Sequence, residues 1–247
     1  MAPRSSEQFS DRVVIVVDDD VVVCDQITTL LHTIGLQSIA YYTSASEFLR
    51  SKLPDQAGCL ISDVRMPGLS GFDLHAHLVN QRINIPIIFV SGFADIPMSV
   101  KAMKAGAVEF LAKPFRDEDL LDAVRAALDR DRHRRQYEEK INDLRHRYRS
   151  LTEREKEIMN LVVAGLMNKQ VAEEVGLAEV TVKVHRHTLM KKLGAKSLPD
   201  LVRMASILGL SHATSERGAW QINDQHDGHH TLGRLLKSQG RKRARTA

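Results

Sequence analysis

The chain has very few cysteines: Cys24 and Cys59 are the only two in 247 residues. Both fall in apolar segments, and neither belongs to a disulfide or metal-ligand spacing. A disulfide framework and a cysteine-based metal site are therefore excluded, and both thiols are expected to be reduced core residues of a cytoplasmic protein. Long apolar runs are also missing. None approaches the ~20 residues needed to span a bilayer, and the N-terminus lacks the apolar core of a signal peptide, so no membrane role is expected. Glycine and proline are absent from Asp129 to Arg149, which favours a charged helical linker there over a flexible one.

Net charge is small overall, at +4. That balance hides an asymmetry. Residues 1–127 carry 11 Lys/Arg against 16 Asp/Glu, and residues 128–247 carry 24 against 15. An acidic half joined to a basic half predicts two domains with different partners, nucleic acid being the candidate for the second. Residues 1–10 are polar and expected to be flexible.

In the first half, Arg12–Val17 is a β-branched run of the kind found in parallel strands buried on both faces, and it ends in Asp18-Asp19-Asp20. A helical pattern follows to Ile34. A second strand covers Gln37 to Thr43, and Ser44 with Glu47 fits a capping box. The run Cys59–Asp63, bounded by Gly58 and the Pro67-Gly68 turn, predicts a third strand with a single carboxylate at its tip. A helix from Ser70 to about Asn80, a strand at Ile85–Val90, a helix from Pro97 to Ala105 and a strand from Ala107 to Ala112 come next. A final amphipathic helix begins near Asp117.

Five strands alternating with five helices predict an α/β, doubly wound, five-stranded parallel sheet. Ligands of such sheets bind at the carboxyl ends of the strands, where strand order reverses. Asp18 and Asp19 follow strand one, Asp63 ends strand three, Ser91 follows strand four and Lys113 follows strand five, so all five share one edge. Three carboxylates gathered there call for a hard cation, and Mg²⁺ suits oxygen ligands, several waters and a phosphate. Asp63 would then be a nucleophile toward a phosphoryl group. Lys113 and the metal would offset charge on the phosphoryl oxygens, and Ser91 would donate to one of them.

Val17-Asp-Asp-Asp20, Ser62-Asp63-Val-Arg-Met-Pro67-Gly, Val90-Ser91-Gly and Ala112-Lys113-Pro-Phe115 together resemble the receiver domain of two-component response regulators over about residues 10–130, with the domain itself expected at 11–128. The resemblance implies a flavodoxin-like fold and an Asp63 phosphorylated by a sensor histidine kinase. It also implies that Asp19 is a direct Mg²⁺ ligand, that Asp18 acts through water, and that the Arg65 backbone carbonyl is a further ligand. Ser91 would be the switch hydroxyl, Lys113 the charge-compensating lysine and Phe110 the aromatic switch position.

The charged stretch 129–147 is expected to be a linker helix, with Tyr137, Ile141, Leu144, Tyr148 and Leu151 forming a short coiled-coil-like seam that could pair subunits. Beyond it, Thr152 with Glu155 fits a capping box, Asn168 is expected to cap the next helix, and Gly176 makes a tight turn before a helix from Glu179 to Leu193. A last helix covers Pro199 to Leu208. These four helices form an all-α helix-turn-helix domain over 148–210. On the helix from Val180, periodicity turns Val182, Leu189 and Leu193 inward and presents Lys183, Val184, His187 and Lys191, a short apolar contact among donors suited to base edges in a major groove. Arg186, Lys169 and Lys192 flank this face and suit phosphates.

Leu151-Thr-Glu-Arg-Glu, Ala164-Gly-Leu-Met-Asn-Lys169, Val180-Thr-Val-Lys-Val-His185 and Met190-Lys-Lys-Leu-Gly194 resemble the LuxR-type DNA-binding domain, and Thr181 joins the DNA contacts on that basis. Receiver plus this domain resembles the NarL/FixJ class, closest in character to FixJ-type regulators. The class implies a phosphorylation-driven homodimer that binds double-stranded promoter DNA, with RNA polymerase a further candidate partner and activation the expected outcome. Residues 211–247 are expected to form a disordered basic tail. An enzyme such as a phosphatase would need a second general acid and a substrate pocket, and neither is evident.

Overall fold

A computed structural model describes residues 12–54, 56–93 and 95–210. The expectations for 1–10 and 211–247 lie outside the described residues. The chain divides into two compact units, the first ending at Arg134 and the second beginning at Arg135.

The first unit contains β1 (Val13–Val17), α1 (Val21–Thr33), β2 (Ile39–Tyr42), α2 (Ala45–Arg50), β3 (Ala57–Asp63), α3 (Gly71–Asn80), β4 (Ile87–Ser91), α4 (Ile96–Lys104), β5 (Glu109–Ala112) and the start of α5 (Asp117–Arg149). The strands are all parallel in the order β2-β1-β3-β4-β5. This is the flavodoxin-like doubly wound order, whose switch point lies between β1 and β3.

Alternation along β1 divides the core in two. Val14 and Val16 pack with Cys24, Ile27 and Leu31 of α1 and Leu120, Val124 and Leu128 of α5. Ile15 and Val17 point the other way, to Phe48, Leu74, Leu78 and Ala102 of α2, α3 and α4. Each such fully buried aliphatic side chain contributes about 1.5–3 kcal/mol of transfer free energy, which explains why β3 and β4 are apolar runs rather than alternating ones.

Helix starts follow their caps. Asp20 accepts from Val22 N–H at the start of α1, and Ser70 with Asp73 forms a complete capping box on α3. At α2 the box is only half made: Ser44 accepts from Glu47 N–H, but the Glu47 carboxylate turns back to the N–H and hydroxyl of Thr43.

The second unit contains the end of α5, then α6 (Glu153–Val163), α7 (Asn168–Val175), α8 (Glu179–Leu193) and α9 (Leu198–Ile207). Its core includes Leu144, Tyr148 and Leu151 together with Ile158, Val171, Val182, Leu189 and Leu193. The lower half of the expected seam is thus buried within this unit, because those apolar side chains have a core of their own chain to enter. The expectation that Asn168 caps α7 is also corrected. Met167 stands at the cap position without a side-chain bond, and Gln170 accepts from its N–H at 2.8 Å. Asn168 is instead the first helical residue, and its Oδ1 accepts from Arg186 at 2.9 Å.

Candidate functional site

The strand order places the tips of β1, β3, β4 and β5 along one edge, and the side chains at those tips meet. Lys113 Nζ lies 2.5 Å from Asp18 Oδ2 and 2.9 Å from Asp63 Oδ1, so one ammonium bridges two buried carboxylates. The Lys113 N–H also donates to the Ser91 carbonyl at 2.8 Å, which fixes the loop that carries the lysine. The N–H of Arg65 donates to Asp63 Oδ2 at 2.6 Å.

Electrostatics explain the bridge. Burial pushes the Asp18 carboxyl above its ordinary pKa, against the opposing hydrogen bond from Lys113. For Lys113 burial acts to lower the pKa but is outweighed by the bonds to Asp18 and Asp63, so the ammonium is held more firmly than usual. Each partner's charged form therefore depends on the other.

Two of the three expected carboxylates meet in this way. The third, Asp19, is exposed and lines an open groove of about 680 Å³ together with Arg65, Met66, Phe72, Met98 and Lys101. Asp20 caps α1 and takes no part. Among the described residues, no three acidic, histidine or cysteine side chains are gathered so as to hold a metal by themselves. The donors nevertheless fit magnesium, which keeps several waters and needs only one or two carboxylates beside a phosphate. Two desolvated carboxylates that share one ammonium also have room for further positive charge. Receiver domains in general bind Mg²⁺ at the phosphorylation site.

Ser91 is fully buried. Its Oγ donates to the Phe93 carbonyl at 3.2 Å and accepts from the Phe93 N–H at 3.3 Å. Phe110 on β5 is half-buried against the core face formed by α2, α3 and α4.

Two features of the site had weak signals in the sequence. Gly71 sits where a Cβ would come within 2.3 Å of the Asp63 carbonyl oxygen, so only glycine lets α3 start this close to the end of β3. Its place directly after the Ser70 cap was the only hint. The second is the Arg65 guanidinium, which stands 4.7 Å from the ring centroid of Phe93. Both residues lie two positions after a site residue.

In the second unit, α7 and α8 are joined through Gly176 at φ 65°, a left-handed turn that glycine adopts without strain. Val182, Leu189 and Leu193 are fully buried, which leaves Lys183, Val184, His187 and Lys191 exposed on α8. Val184 is 61 % exposed although apolar. Lys183 pairs with Glu179 one turn earlier at 2.9 Å. Lys169 is exposed at the start of α7, and Thr181 is half-buried. Lys192 is turned to Glu155, 2.7 Å away.

The sequence matches the response regulator receiver domain over residues 14–125 and the luxR family of bacterial regulatory proteins over residues 149–205. It is 50 % identical over 212 residues to nodulation protein W of Bradyrhizobium diazoefficiens, covering 86 % of this chain and 93 % of that one. It is 40 % identical over 197 residues to the transcriptional regulatory protein FixJ of Rhizobium meliloti, covering 80 % and 96 %. Among solved structures, the response regulator StyR is 46 % identical with a TM-score of 0.69, covering 80 % of this chain and 99 % of that one. The chain belongs to the two-component response regulators that join a receiver domain to a LuxR-type helix-turn-helix DNA-binding domain. This is a family of transcription regulators, and membership implies a kinase and DNA as partners. No helix among the described residues is long and apolar enough to cross a membrane.

Proposed function

We propose that Asp63 accepts a phosphoryl group from a sensor histidine kinase, and that this promotes dimerisation and sequence-specific promoter binding that activates transcription. The observation that carries this reading is the bridge from Lys113 to Asp18 and Asp63 at the switch point of the sheet. A carboxylate oxygen of Asp63 attacks the phosphorus in line with the departing group, and the Lys113 ammonium stabilises the charge on the transferring oxygens. A magnesium ion held by Asp18, Asp19, Asp63 and the Arg65 carbonyl would supply further charge compensation when bound. The Ser91 hydroxyl turns from the Phe93 carbonyl toward a phosphoryl oxygen, and Phe110 repacks in response.

The output surface is the α4 face, where Ile96, Val100 and Met103 are exposed apolar side chains that a second copy would cover. A dimer would present two α8 helices to paired half-sites about one DNA turn apart. On each, Thr181, Lys183, Val184 and His187 would face base edges, with Lys169 and Arg186 at phosphates. Lys192 would reach a phosphate only while keeping Glu155. RNA polymerase is the downstream partner of such a promoter complex, and the whole cycle is cytoplasmic.

The test compares the wild type and Asp63→Asn, each incubated with magnesium and ³²P-labelled acetyl phosphate. The wild type should take up label, dimerise by sedimentation and bind promoter DNA more tightly, and Asp63→Asn should do none of these. A variant that dimerises and activates its promoter as the treated wild type does would sink the reading.

A further inference from the structure

The last turns of α5 are built into the core of the second unit. Leu144, Tyr148 and Leu151 enter the same cluster as Leu189 and Leu193 of α8, and Lys156 of α6 lies 5.7 Å from the Tyr148 ring centroid. Arg147, one residue before that tyrosine, reaches the C-terminal end of α8. Its Nη1 donates to the Leu193 carbonyl at 3.4 Å. Its Nη2 pairs with Asp143, one turn earlier on α5, at 2.8 Å.

The final carbonyls of a helix have no intrahelical partner. At α8 the N–H groups of Gly194 and Ala195 fold back to the carbonyls of Lys191 and Met190, and the Leu193 carbonyl takes the guanidinium. A cation suits this end, where the helix dipole is negative. Gly194 makes the room: it turns the chain at φ 75°, and a Cβ on it would stand 2.7 Å from Arg147 Nη1. The same device closes α7. There the carbonyl of Val175, immediately before the left-handed Gly176, accepts from Arg154 of α6, and Arg154 is held by Glu157 at 2.6 Å. Both helices flanking the turn are thus fixed at their C-terminal ends by an arginine that an acidic neighbour orients. Arg154 lies within the luxR-family match, whereas Asp143 and Arg147 precede it.

We propose that Arg147, oriented by Asp143, is a positioning residue for sequence recognition: it fixes the pose of α8 from the linker helix, so the DNA-reading unit begins within α5. The two side chains are 47 % and 56 % exposed, and an ion pair this open adds little to stability. What the contact restricts is the freedom of α8 to pivot on its buried Leu189 and Leu193. Side chains that read a partner must be held within about 0.5 Å of their productive geometry, and Arg147 does this without touching DNA. The inference rests on α8 being the helix that reads base edges.

The experiment selects a preferred duplex from a random DNA library with the full wild-type chain. It then measures affinity for that duplex and for a scrambled one over a salt series. In Arg147→Ala the ratio of the two affinities should fall roughly two- to fivefold, the factor a cation at a helix C-terminus is worth, with the salt slope unchanged. Asp143→Ala keeps the guanidinium but frees it, and its ratio should fall in the same direction. The double variant should fall no further than Arg147→Ala, since both changes remove one contact. Partial unfolding lowers both affinities alike and leaves the ratio untouched, which separates positioning from a merely structural role. Should Arg147→Ala fail to fold, the ratio in Asp143→Ala decides. An unchanged ratio overturns the positioning role alone, as does a salt slope reduced by about 1, which would make Arg147 a phosphate contact. A wild type that enriches no duplex, or that keeps its full preference in Val184→Ser, overturns the reading of α8 and this inference with it.

Discussion

Lys192 on α8 holds the carboxylate of Glu155 on α6 at 2.7 Å, and that carboxylate is almost wholly buried. Glu155 also accepts from the Thr152 N–H at 2.8 Å while Thr152 Oγ1 accepts from the Glu155 N–H. One glutamate therefore closes the capping box of α6 and ties α8 to α6. Burial acts to raise its pKa, but the bonds from Lys192 and Thr152 outweigh burial and leave it below its ordinary value of 4.5.

The sign of that shift gives a pH prediction. A carboxyl with a depressed folded pKa contributes stability above its unfolded value, and that stability is lost as pH falls through the folded one. The second unit should lose stability from about pH 4.5 downward. Glu155→Gln can keep the capping box but not the ion pair, so it should remove this acid dependence and cost about 1 kcal/mol at neutral pH. Urea unfolding followed by circular dichroism across the acid range checks both.

Lys113 is the only cation that the structure places between Asp18 and Asp63 among the described residues. Removing one partner of a buried ion pair typically costs about 3–5 kcal/mol, because the remaining charge is left uncompensated. Lys113→Met should accordingly lower the denaturation midpoint of the receiver domain, and excess MgCl₂ should recover part of the loss by binding the native state. An unchanged midpoint without magnesium would show that the two carboxylates do not depend on the lysine. In the wild type, the raised Lys113 pKa means that its contribution is complete below about pH 10.5 and fades only as pH rises past the folded value.

Gly71 allows α3 to begin directly against the end of β3. In Gly71→Ala the new methyl would meet the Asp63 carbonyl oxygen at 2.3 Å and Ser62 Oγ at 2.9 Å. Since the nearest atom is backbone, the loop itself must shift. The substitution should destabilise the receiver by about 1–3 kcal/mol, as overpacking does, and slow phosphoryl uptake because the Asp63 carboxylate moves with its backbone. Labelling rate and thermal midpoint together test this, and a normal rate at a lowered midpoint would confine the effect to folding.

Much of this organisation can be read from the residues because burial on both faces of a parallel sheet demands continuous apolar runs. Val13–Val17, Cys59–Ile61 and Ile87–Val90 meet that demand, and the polar residues at their tips then share an edge. Long-range pairings were less legible. Nothing local in Lys192 distinguishes a phosphate contact from a partner for Glu155, which lies 37 residues away. The seam from Tyr137 to Leu151 has coiled-coil spacing, yet Leu144, Tyr148 and Leu151 enter their own unit's core. Periodicity marks an apolar stripe without saying what covers it. Asn168 looked like a cap because of its residue type, but the structure gives its side chain to Arg186 instead.

That last contact separates the proposed DNA contacts into two kinds. Arg186 is oriented by Asn168, at the amino end of α7, whereas Val184 stands exposed on α8 with no polar group to satisfy. Lys169→Ala and Arg186→Ala should weaken specific and nonspecific binding alike, and each should reduce the slope of log affinity against log salt by about 1 for a lost phosphate contact. Asn168→Ala should reproduce part of the Arg186 effect although Asn168 needs no DNA contact of its own. Val184→Ser should leave the salt slope unchanged and relax the preference at one base position, since an apolar contact reads a thymine methyl rather than charge. Affinities measured over a salt series, on the operator and on single-base variants, distinguish these outcomes. A reduced salt slope for Val184→Ser would mean that α8 lies on the backbone rather than in the groove.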